Sequence, residues 1–296
     1  MNTTPALKLG NLPVHTGATV PTRFGMVLWG KGGVGKTALA ATAPGRKLLL
    51  NLDPDGYSTV AGRSDVDIVR LETLATDDLI KLLKASNPLS LDEYLGARPE
   101  IGTVILDSAT ILAWHCLKSA IGAGVGKSKV FTPTLETPGI SAYGARNAIM
   151  IECLTGLLRV TAKHERHVII TAHEDDPEME KDDRGQDTSV VRAIEIMLGG
   201  KIMNNVTMRL SEIWYMSKDE GGSTTNRRIA VFPTRKRAPM KTRIFDAPSS
   251  PEFLLQFDDN KPDEENEHTL AKWHAQWLAN GKRKIPLPPK EVSGRK

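Results

Sequence analysis

From residue 24 onward, short apolar runs alternate with longer stretches that have helical spacing. The runs at 26–29, 47–52, 103–106 and 167–171 are rich in valine, isoleucine or leucine and show no polar alternation. This pattern is typical of strands that are covered on both faces of a parallel sheet. Apolar residues at helical spacing over 145–163 predict a crossover helix. The chain is therefore predicted to be an α/β protein with a mainly parallel central sheet.

A different pattern follows at 212–234, where the apolar segments IWYMS and RIAVFP flank the polar, glycine-containing stretch DEGGSTTN. It predicts a C-terminal antiparallel hairpin. We expect three regions along the chain. Residues 1–21 are a flexible N-terminal arm, 22–257 form the core, and 258–296 comprise an acidic linker, a short amphipathic helix at 268–279 and a basic tail.

Composition is that of an ordinary soluble protein, with 40% hydrophobic and 25% charged residues. The two cysteines, Cys116 and Cys153, lie in apolar, helix-like surroundings and are expected to be core residues of a reducing compartment. No charged stretch followed by an apolar one opens the chain, and no apolar run approaches about 18 residues. These features predict a cytoplasmic protein with no membrane partner.

The sequence GKGGVGKT at 30–37 follows the first apolar run and opens a helix-prone stretch at 38–42. A phosphate-binding P-loop requires this order, because glycines let backbone N–H groups surround a phosphate and the helix N-terminus adds its dipole. Lys36 is placed to reach the β and γ oxygens, and the Thr37 hydroxyl to hold Mg²⁺. The chain is predicted to bind ATP with Mg²⁺. The predicted nucleotide contacts are Gly30, Lys31, Gly32, Gly33, Val34, Gly35, Lys36, Thr37 and Ala38.

The third apolar run leads into VILDS at 104–108 and ends in a carboxylate. Behind a P-loop, this predicts Asp107 as the Walker B ligand of Mg²⁺, on a strand beside the P-loop strand. Because Ser108 follows instead of glutamate, another residue must activate the attacking water. Asp53, at the end of the first strand after the P-loop helix, is predicted as that base, with Asp55 a weaker alternative and a simple turn at 53–56 still open. Asn51 is expected to line the same site.

His173 ends the strand at 167–173, at the carboxyl edge where ligands bind in open α/β sheets. We therefore predict that it senses the γ-phosphate, with a purely structural histidine as the alternative. The segment GAGVGKS at 122–128 imitates a P-loop but is one residue short and follows a helix-like stretch. It is interpreted as a flexible loop in which Lys127 and Lys129 are candidate phosphate or DNA contacts.

Seven basic residues and no acid occur between Arg227 and Arg243. Lys236, Arg237 or Lys241 are predicted to reach a neighbouring subunit's nucleotide in trans. The same run is equally suited to bind a nucleic-acid backbone. Eight acidic residues at 174–187 argue against a simple phosphate-binding surface there.

The ordered segments GKGGVGKTALAATAPGRKLLLNLDPDG, TVILDSATIL, SAYGARNAIM and HVIITAHE, with the hairpin and basic run, resemble phage-type RecA-core ATPases over about residues 22–257. The resemblance implies a RecA-like P-loop NTPase with Lys36 and Thr37 on phosphate and Mg²⁺, Asp107 as Walker B and His173 as sensor. It implies a homo-oligomer that acts on single-stranded DNA in recombination or replication, with a single-strand-binding or annealing protein. Asp53 stands where RecA proteins place a catalytic glutamate, so the rate of hydrolysis stays open.

The expected DNA contacts are the 119–139 loop, the 174–205 loop and the basic tail. Within those loops only Phe131 offers an aromatic ring for base stacking.

A competing resemblance is to the ParA/MinD-type partition ATPases. Lys31 matches their additional P-loop lysine, which reaches the nucleotide of the dimer partner, and LLLNLDPDG is similar to their following strand. Asn51 in place of the first aspartate of that motif, and a P-loop helix shorter than theirs, count against it. A third hypothesis is a nucleotide-gated interaction module that hardly hydrolyses ATP.

Overall fold

The computed structural model describes residues 8–9, 12–13, 22–84, 89–128, 131–181, 184–198, 202, 205–206, 208–218, 227–234, 240–246, 252–255, 257–258 and 261–287. Its strands are β1 (Lys8–Leu9), β2 (Leu12–Pro13), β3 (Gly25–Gly30), β4 (Arg46–Asn51), β5 (Val66–Arg70), β6 (Ile101–Asp107), β7 (His167–His173), β8 (Glu178–Lys181), β9 (Asp187–Ala193), β10 (Glu212–Lys218), β11 (Arg227–Ala230) and β12 (Glu252–Leu255). The α-helices of this described part are α1 (Lys36–Ala40), α2 (Thr76–Leu83), α3 (Leu89–Ala97), α4 (Ala109–Gly122), α5 (Gly139–Lys163) and α6 (Leu270–Ala279).

Eight strands form the main sheet in the order β12-β11-β10-β3-β7-β6-β4-β5. The six strands from β10 to β5 are mutually parallel, while β11 and β12 run antiparallel to their neighbours. The predicted α/β fold with a mainly parallel sheet and a C-terminal antiparallel hairpin is thus confirmed. The hairpin is the β10–β11 pair, and its predicted turn at 219–226 lies outside the described residues.

One expectation about strand order is wrong. The strand that carries Asp107, β6, is not beside the P-loop strand β3, because β7 lies between them. The segment VIITA in β7 is fully buried, as required of a strand with parallel neighbours and helices on both faces. The order of the strands along the chain does not reveal this position, since β7 comes after both β3 and β6 in the sequence. The consequence is that His173 ends directly between the P-loop and Asp107, in register with Gly30.

Two apolar cores cover the two faces of the sheet. One contains side chains of α2, α4 and α5, including Leu79, Leu112 and Leu154. The other contains α1 and α6, and there Trp273 contacts the rings of Trp214, Phe245 and Phe253. Helix α6 therefore packs against the same face of the sheet as the helix that follows the P-loop. The division of the chain at residue 257 stays a prediction.

Several local expectations change in detail. Helix α5 begins at Gly139, before the predicted residue 145. The expected 174–205 loop carries two strands, β8 and β9, which form a separate antiparallel ribbon. Cys116 and Cys153 are buried and unpaired, as expected of core residues. Within the N-terminal arm, β1 and β2 pair with each other, and residues 288–296 of the basic tail lie outside the described residues. Among the described helices, none is long and apolar enough to cross a membrane.

Candidate nucleotide site

The loop from Gly30 to Lys36 has the backbone shape of a phosphate cradle. Gly33 and Gly35 adopt left-handed conformations with φ of 70° and 89°, which favour glycine. At Gly30, where β3 ends, a Cβ atom would lie 2.0 Å from the carbonyl oxygen of Met216, so only glycine fits beside β10. Helix α1 begins at Lys36 directly after the loop and directs its N-terminal N–H groups at the cradle.

Lys36 lies across this loop with only 6% of its surface exposed. Its Nζ donates to the carbonyl oxygens of Gly30 at 3.0 Å and Lys31 at 2.7 Å. Burial lowers the pKa of Lys36 to about 8, although the carboxylates of Asp107, Glu174 and Asp53 act to raise it. The ammonium group is thus held over the cradle in a site with little water.

Thr37 and Asp107 meet as the sequence predicts. The Thr37 hydroxyl donates to Asp107 Oδ2 at 2.6 Å, and the Thr171 hydroxyl donates to Asp107 Oδ1. Thr171 belongs to β7, so the inserted strand orients the carboxylate from the side opposite Thr37. Both oxygens of Asp107 therefore have a fixed direction, with the residue only 5% exposed.

Asp53 lies in the turn that follows β4, and this turn faces the same site. The Gly56 N–H donates to the Asp53 carbonyl at 3.1 Å, which closes the turn. A Cβ atom on Gly56 would lie 2.9 Å from Asp53 Cβ, 2.9 Å from Asn51 Oδ1 and 3.5 Å from Asp107 Oδ2. Asp53 also acts electrostatically on Lys36 and His173. Residues 53–56 therefore form a turn, which was the alternative that the sequence left open, and this turn also lines the candidate site.

Asn51 is fully buried at this wall and directs an amide oxygen at it. Its Nδ2 donates to the Asp53 carbonyl at 2.6 Å and to Glu72 Oε2 at 3.3 Å. Its Oδ1 finds no hydrogen-bond partner among the described residues. The short distances around Gly56 leave no space for a side chain beside this amide oxygen. Glu72, which sequence reasoning did not single out, holds the amide in place.

His173 ends β7 half-buried beside the P-loop. Its backbone N–H donates to Thr110 Oγ1 at 2.9 Å, which fixes the strand end to α4. Burial and the nearby Lys36 ammonium lower the pKa of His173 below its ordinary value, against the opposing effects of Asp107 and Asp53. A neutral imidazole at this place can donate one hydrogen bond toward a phosphate.

Besides Glu72, two more site residues were missed by the sequence reasoning. Glu174, treated only as one of the acids of an acidic segment, is buried beside the P-loop, with its N–H on the Gly30 carbonyl and its carboxylate accepting from Tyr215 Oη at 2.9 Å. Arg227, at the start of β11, packs its guanidinium on Gly35, where a Cβ would come within 2.6 Å of Cζ. The glutamate that directly follows His173 at the strand end was the available signal for the first. Arg227 had no signal, because its position depends on the β10–β11 register.

The remaining predicted contacts divide into four groups. Val34 and Ala38 are buried in the core that contains α1, so only their backbone can face a nucleotide. The Lys31 side chain is 72% exposed and lies 3.8 Å from Glu174, and Lys127 is exposed in its loop. Lys241 lies at the opposite, amino edge of the sheet, where its Nζ donates to the Leu210 carbonyl at 2.7 Å. Lys129, Lys236 and Arg237 lie outside the described residues.

The donor set fits Mg²⁺ with a nucleotide. One hydroxyl, Thr37, and one carboxylate, Asp107, offer oxygen ligands, and Mg²⁺ in such sites takes few protein ligands besides phosphate and water. The described residues contain no cluster of three or more histidine, cysteine or acidic ligands for a metal ion. The site therefore suits a metal that arrives with the phosphates.

One comparison with known proteins identifies the type of domain that this chain contains. The family model AAA_24, described as an AAA domain, matches residues 22–244, well over half of the chain. A search of curated proteins finds no match. The matched segment contains the P-loop, Asp53, Asp107 and His173, and an AAA domain is a nucleotide-binding domain of the P-loop ATPase type. The chain belongs to the AAA_24 family of AAA domains.

Proposed function

We propose that this protein binds ATP with Mg²⁺ and hydrolyses it. The observation that carries the proposal is the meeting of Lys36, Thr37 and Asp107 at one edge of the sheet, with Asp53 and His173 beside them. Phosphate would lie in the cradle of backbone N–H groups and contact the Lys36 ammonium. Thr37 and Asp107 would hold Mg²⁺, which neutralises charge on the phosphates when bound.

In this proposal Asp53 orients the attacking water and accepts its proton. The Nδ2 of Asn51 donates to the Asp53 carbonyl at 2.6 Å and so holds the turn that carries this carboxylate. Lys36 stabilises the negative charge that develops on the γ-phosphoryl oxygens, and His173 contacts that phosphate from the end of β7. Aspartate reaches one methylene less far than glutamate, so we expect slow turnover that DNA or a neighbouring subunit accelerates.

Steady-state phosphate release tests these roles. Lys36→Ala should abolish nucleotide binding and turnover, whereas Asp53→Ala should retain binding and lose turnover by about 100-fold or more. Asp55→Ala is the matched control, because Asp55 lies two residues further along the same turn and is exposed. Normal turnover in Asp53→Ala would show that Asp53 is not the base. Tight binding with negligible turnover in the wild type, with and without DNA, would favour the nucleotide-gated module.

We further propose that the protein acts as a homo-oligomer on single-stranded DNA, in phage-type recombination or replication in the host cytoplasm. Two exposed aromatic rings near the 122–139 loop each lie beside a cation, of which Lys118 is exposed and Arg146 is half-buried. Lys118 lies 4.7 Å from the centre of the Trp114 ring, and Arg146 lies 5.1 Å from that of Tyr143. Trp114 is 51% and Tyr143 44% exposed. Rings of this kind stack on bases while cations bind the nucleic-acid backbone. Helices α4 and α5 therefore supply aromatic rings in addition to Phe131.

Fluorescence anisotropy of labelled single-stranded DNA, with and without ATP, tests this proposal across salt concentrations. Affinity should fall steeply as salt rises, because backbone contacts release counterions. Trp114→Ala and Tyr143→Ala should each weaken binding by about tenfold. Leu278→Ala, which removes another exposed apolar side chain from α6, should not weaken it. Absence of binding at low salt in every nucleotide state would reject the DNA proposal. The same proposal includes two further points. Lys236, Arg237 or Lys241 would reach the nucleotide of a neighbouring subunit, and an annealing or single-strand-binding protein would be a partner.

The exposure of Lys31 favours one second candidate, a ParA-like dimer in which this lysine reaches the partner's nucleotide. Helix α1 has only five residues, and a helix this short counts against a ParA-like protein, as the sequence already indicated. Lys31→Ala separates the two, since it should abolish ATP-dependent dimerisation in a ParA-like protein. In the RecA-like proposal it should leave oligomerisation intact. Sedimentation of the wild type and of Lys31→Ala with ATP measures the outcome.

A further inference from the structure

Three neighbouring strands of the main sheet end in one row of residues. Asn51, the last residue of β4, is in register with Asp107 at the end of β6 and with Arg70 at the end of β5. Because the three strands are parallel, these residues all lie at the carboxyl edge that carries the candidate site. Strand β5 is the last strand of the sheet on this side, so the row runs from the site to the rim of the sheet.

Arg70 forms an ion pair with Glu72, which lies in a short 3₁₀ turn at Leu71–Thr73 directly after β5. Arg70 Nε donates to Glu72 Oε1 at 2.6 Å, and Arg70 Cζ lies 5.2 Å from the centre of the Tyr57 ring. The Arg70 side chain is 56% exposed, whereas that of Glu72 is only 10% exposed. The pair therefore has its cation at the surface and its carboxylate inside the protein.

The second carboxylate oxygen of Glu72 reaches the candidate site through the amide of Asn51. Glu72 Oε2 accepts from Asn51 Nδ2 at 3.3 Å, and the same Nδ2 donates to the Asp53 carbonyl at 2.6 Å. Burial acts to raise the pKa of Glu72, but hydrogen bonds from Arg70, from the Glu72 backbone and from Asn51 lower it below its ordinary value. Glu72 is therefore a charged acceptor, which holds an amide donor more firmly than a neutral one does.

The Asp53 carbonyl is the point at which these contacts reach the turn at 53–56. It accepts from Asn51 and also from the Gly56 N–H at 3.1 Å, while the Asp55 N–H donates to Asp53 Oδ1 at 3.3 Å. A Cβ atom on Gly56 would lie 2.9 Å from both Asn51 Oδ1 and Asp53 Cβ, so the amide and the turn are closely packed. A shift of the amide must therefore move Asp53, and misplacing a catalytic group by about 1 Å can lower a rate by about 100-fold.

We propose that Glu72 is a positioning residue for the proposed hydrolysis. Arg70 holds its carboxylate in place, the carboxylate holds the Asn51 amide, and the amide holds the turn that carries Asp53. The proposal rests on the proposed function, because it needs Asp53 to act on the attacking water. It gives the edge strand β5, from which no site residue was predicted, a part in setting the rate of turnover. A pair that only stabilised the β4–β5 edge would change the free energy of unfolding and would have no specific link to Asp53.

Single-turnover hydrolysis of radiolabelled ATP, together with calorimetry of ATP binding in Mg²⁺, separates turnover from affinity. Glu72→Ala should lower turnover by about tenfold and change ATP affinity by less than about twofold, because the phosphate cradle is untouched. Glu72→Gln keeps an acceptor oxygen for the Asn51 amide and should retain turnover to within about threefold. Glu100→Ala is the matched control, because Arg98 Nε donates to Glu100 with the same spacing along the chain, but directly before β6 at the amino edge. It should change neither quantity.

A double-mutant cycle distinguishes positioning from a merely structural role. In the Asp53→Ala background, Glu72→Ala should lower turnover no further, because Glu72 acts only through Asp53. A loss by the same factor in both backgrounds would overturn the proposal, and so would normal turnover in Glu72→Ala when Asp53→Ala is slow. Either result would leave the proposed function standing. Normal turnover in Asp53→Ala, or none in the wild type, would instead overturn the proposed hydrolysis mechanism and this proposal together.

Discussion

Replacing Lys36 with methionine should make the nucleotide-free protein more stable while abolishing ATP binding. The ordinary lysine pKa of 10.5 falls to about 8 at this site because of burial, although three carboxylates oppose the shift. At 1.36 kcal/mol per unit, the charged ammonium costs the folded state about 3 kcal/mol at neutral pH. Methionine fills the same stem without the charge. The carbonyls of Gly30 and Lys31 then lose a donor, at about 1 kcal/mol each, so we expect a net gain of about 1 kcal/mol at neutral pH.

The dependence on pH isolates the charge from these other effects. Between pH 8 and 10.5 the unfolded chain still binds the Lys36 proton and the folded protein has released it, so wild-type stability rises with pH in this window. The variant lacks this group, and every other titration cancels in the difference. The advantage of Lys36→Met should therefore shrink by about 3 kcal/mol from pH 8 to pH 10.5.

Urea unfolding of both proteins at pH 7, 8, 9 and 10 measures this difference, with ATP and Mg²⁺ added in a second series. ATP should raise the unfolding free energy of the wild type only, because a ligand stabilises the state it binds. A variant that is less stable than the wild type at every pH would refute the reasoning. So would a stability difference that does not change with pH, since it would mean that burial does not disfavour the Lys36 charge.

Two further predictions concern the frame around the site. Gly30→Ala should destabilise the protein by about 2 kcal/mol or more in urea unfolding, because its Cβ would meet the Met216 carbonyl. Gly32→Ala has open space and should change stability little. Equal effects of the two substitutions would mean that the β3–β10 contact is looser than it is here. Burial raises the pKa of Glu212 to about 7, although hydrogen bonds from Thr242, the Arg243 N–H and Trp214 act to lower it. The protonated form is thus preferred on folding, so wild-type stability relative to Glu212→Gln should fall by about 3 kcal/mol as pH rises from 4.5 to beyond 7, and a flat difference in urea unfolding at pH 5 and 8 would contradict this.

The apolar strands and the P-loop were predictable because each depends on local sequence. A fully buried parallel strand must be apolar on both faces, and the P-loop must have glycines where the backbone turns inward. Their pattern located β3, β4, β6 and β7, and placed Lys36, Thr37 and Asp107 together. The order of the strands in the sheet could not be predicted in this way, since it depends on long-range crossover connections that no local sequence pattern encodes. The position of β7 between β3 and β6 was therefore missed.

Residues that enter the site from elsewhere in the chain were also missed. Arg227 contacts Gly35 only because β11 pairs with β10 in one particular register. Strands with a weak hydrophobic pattern were missed as well. In β5, Ile68 and Val69 are exposed, and the segment that forms the β8–β9 ribbon is rich in acidic residues. Neither segment shows the apolar run or the turn signals that predicted the other strands. Their pairing is set by neighbouring strands and turns rather than by their own composition.

The inserted position of β7 connects the nucleotide site to the acidic ribbon. His173 and Glu174 end β7 beside the P-loop, and the chain that follows is bonded to residues 195–197. The Met197 N–H donates to the His173 carbonyl at 2.9 Å, and the Asp175 N–H donates to the Glu195 carbonyl at 2.8 Å. These residues directly follow β9, so a shift of His173 toward a phosphate must move the base of the ribbon with it. Had β6 been next to β3, as the sequence suggested, no strand end would join the phosphates, Asp107 and this ribbon at once.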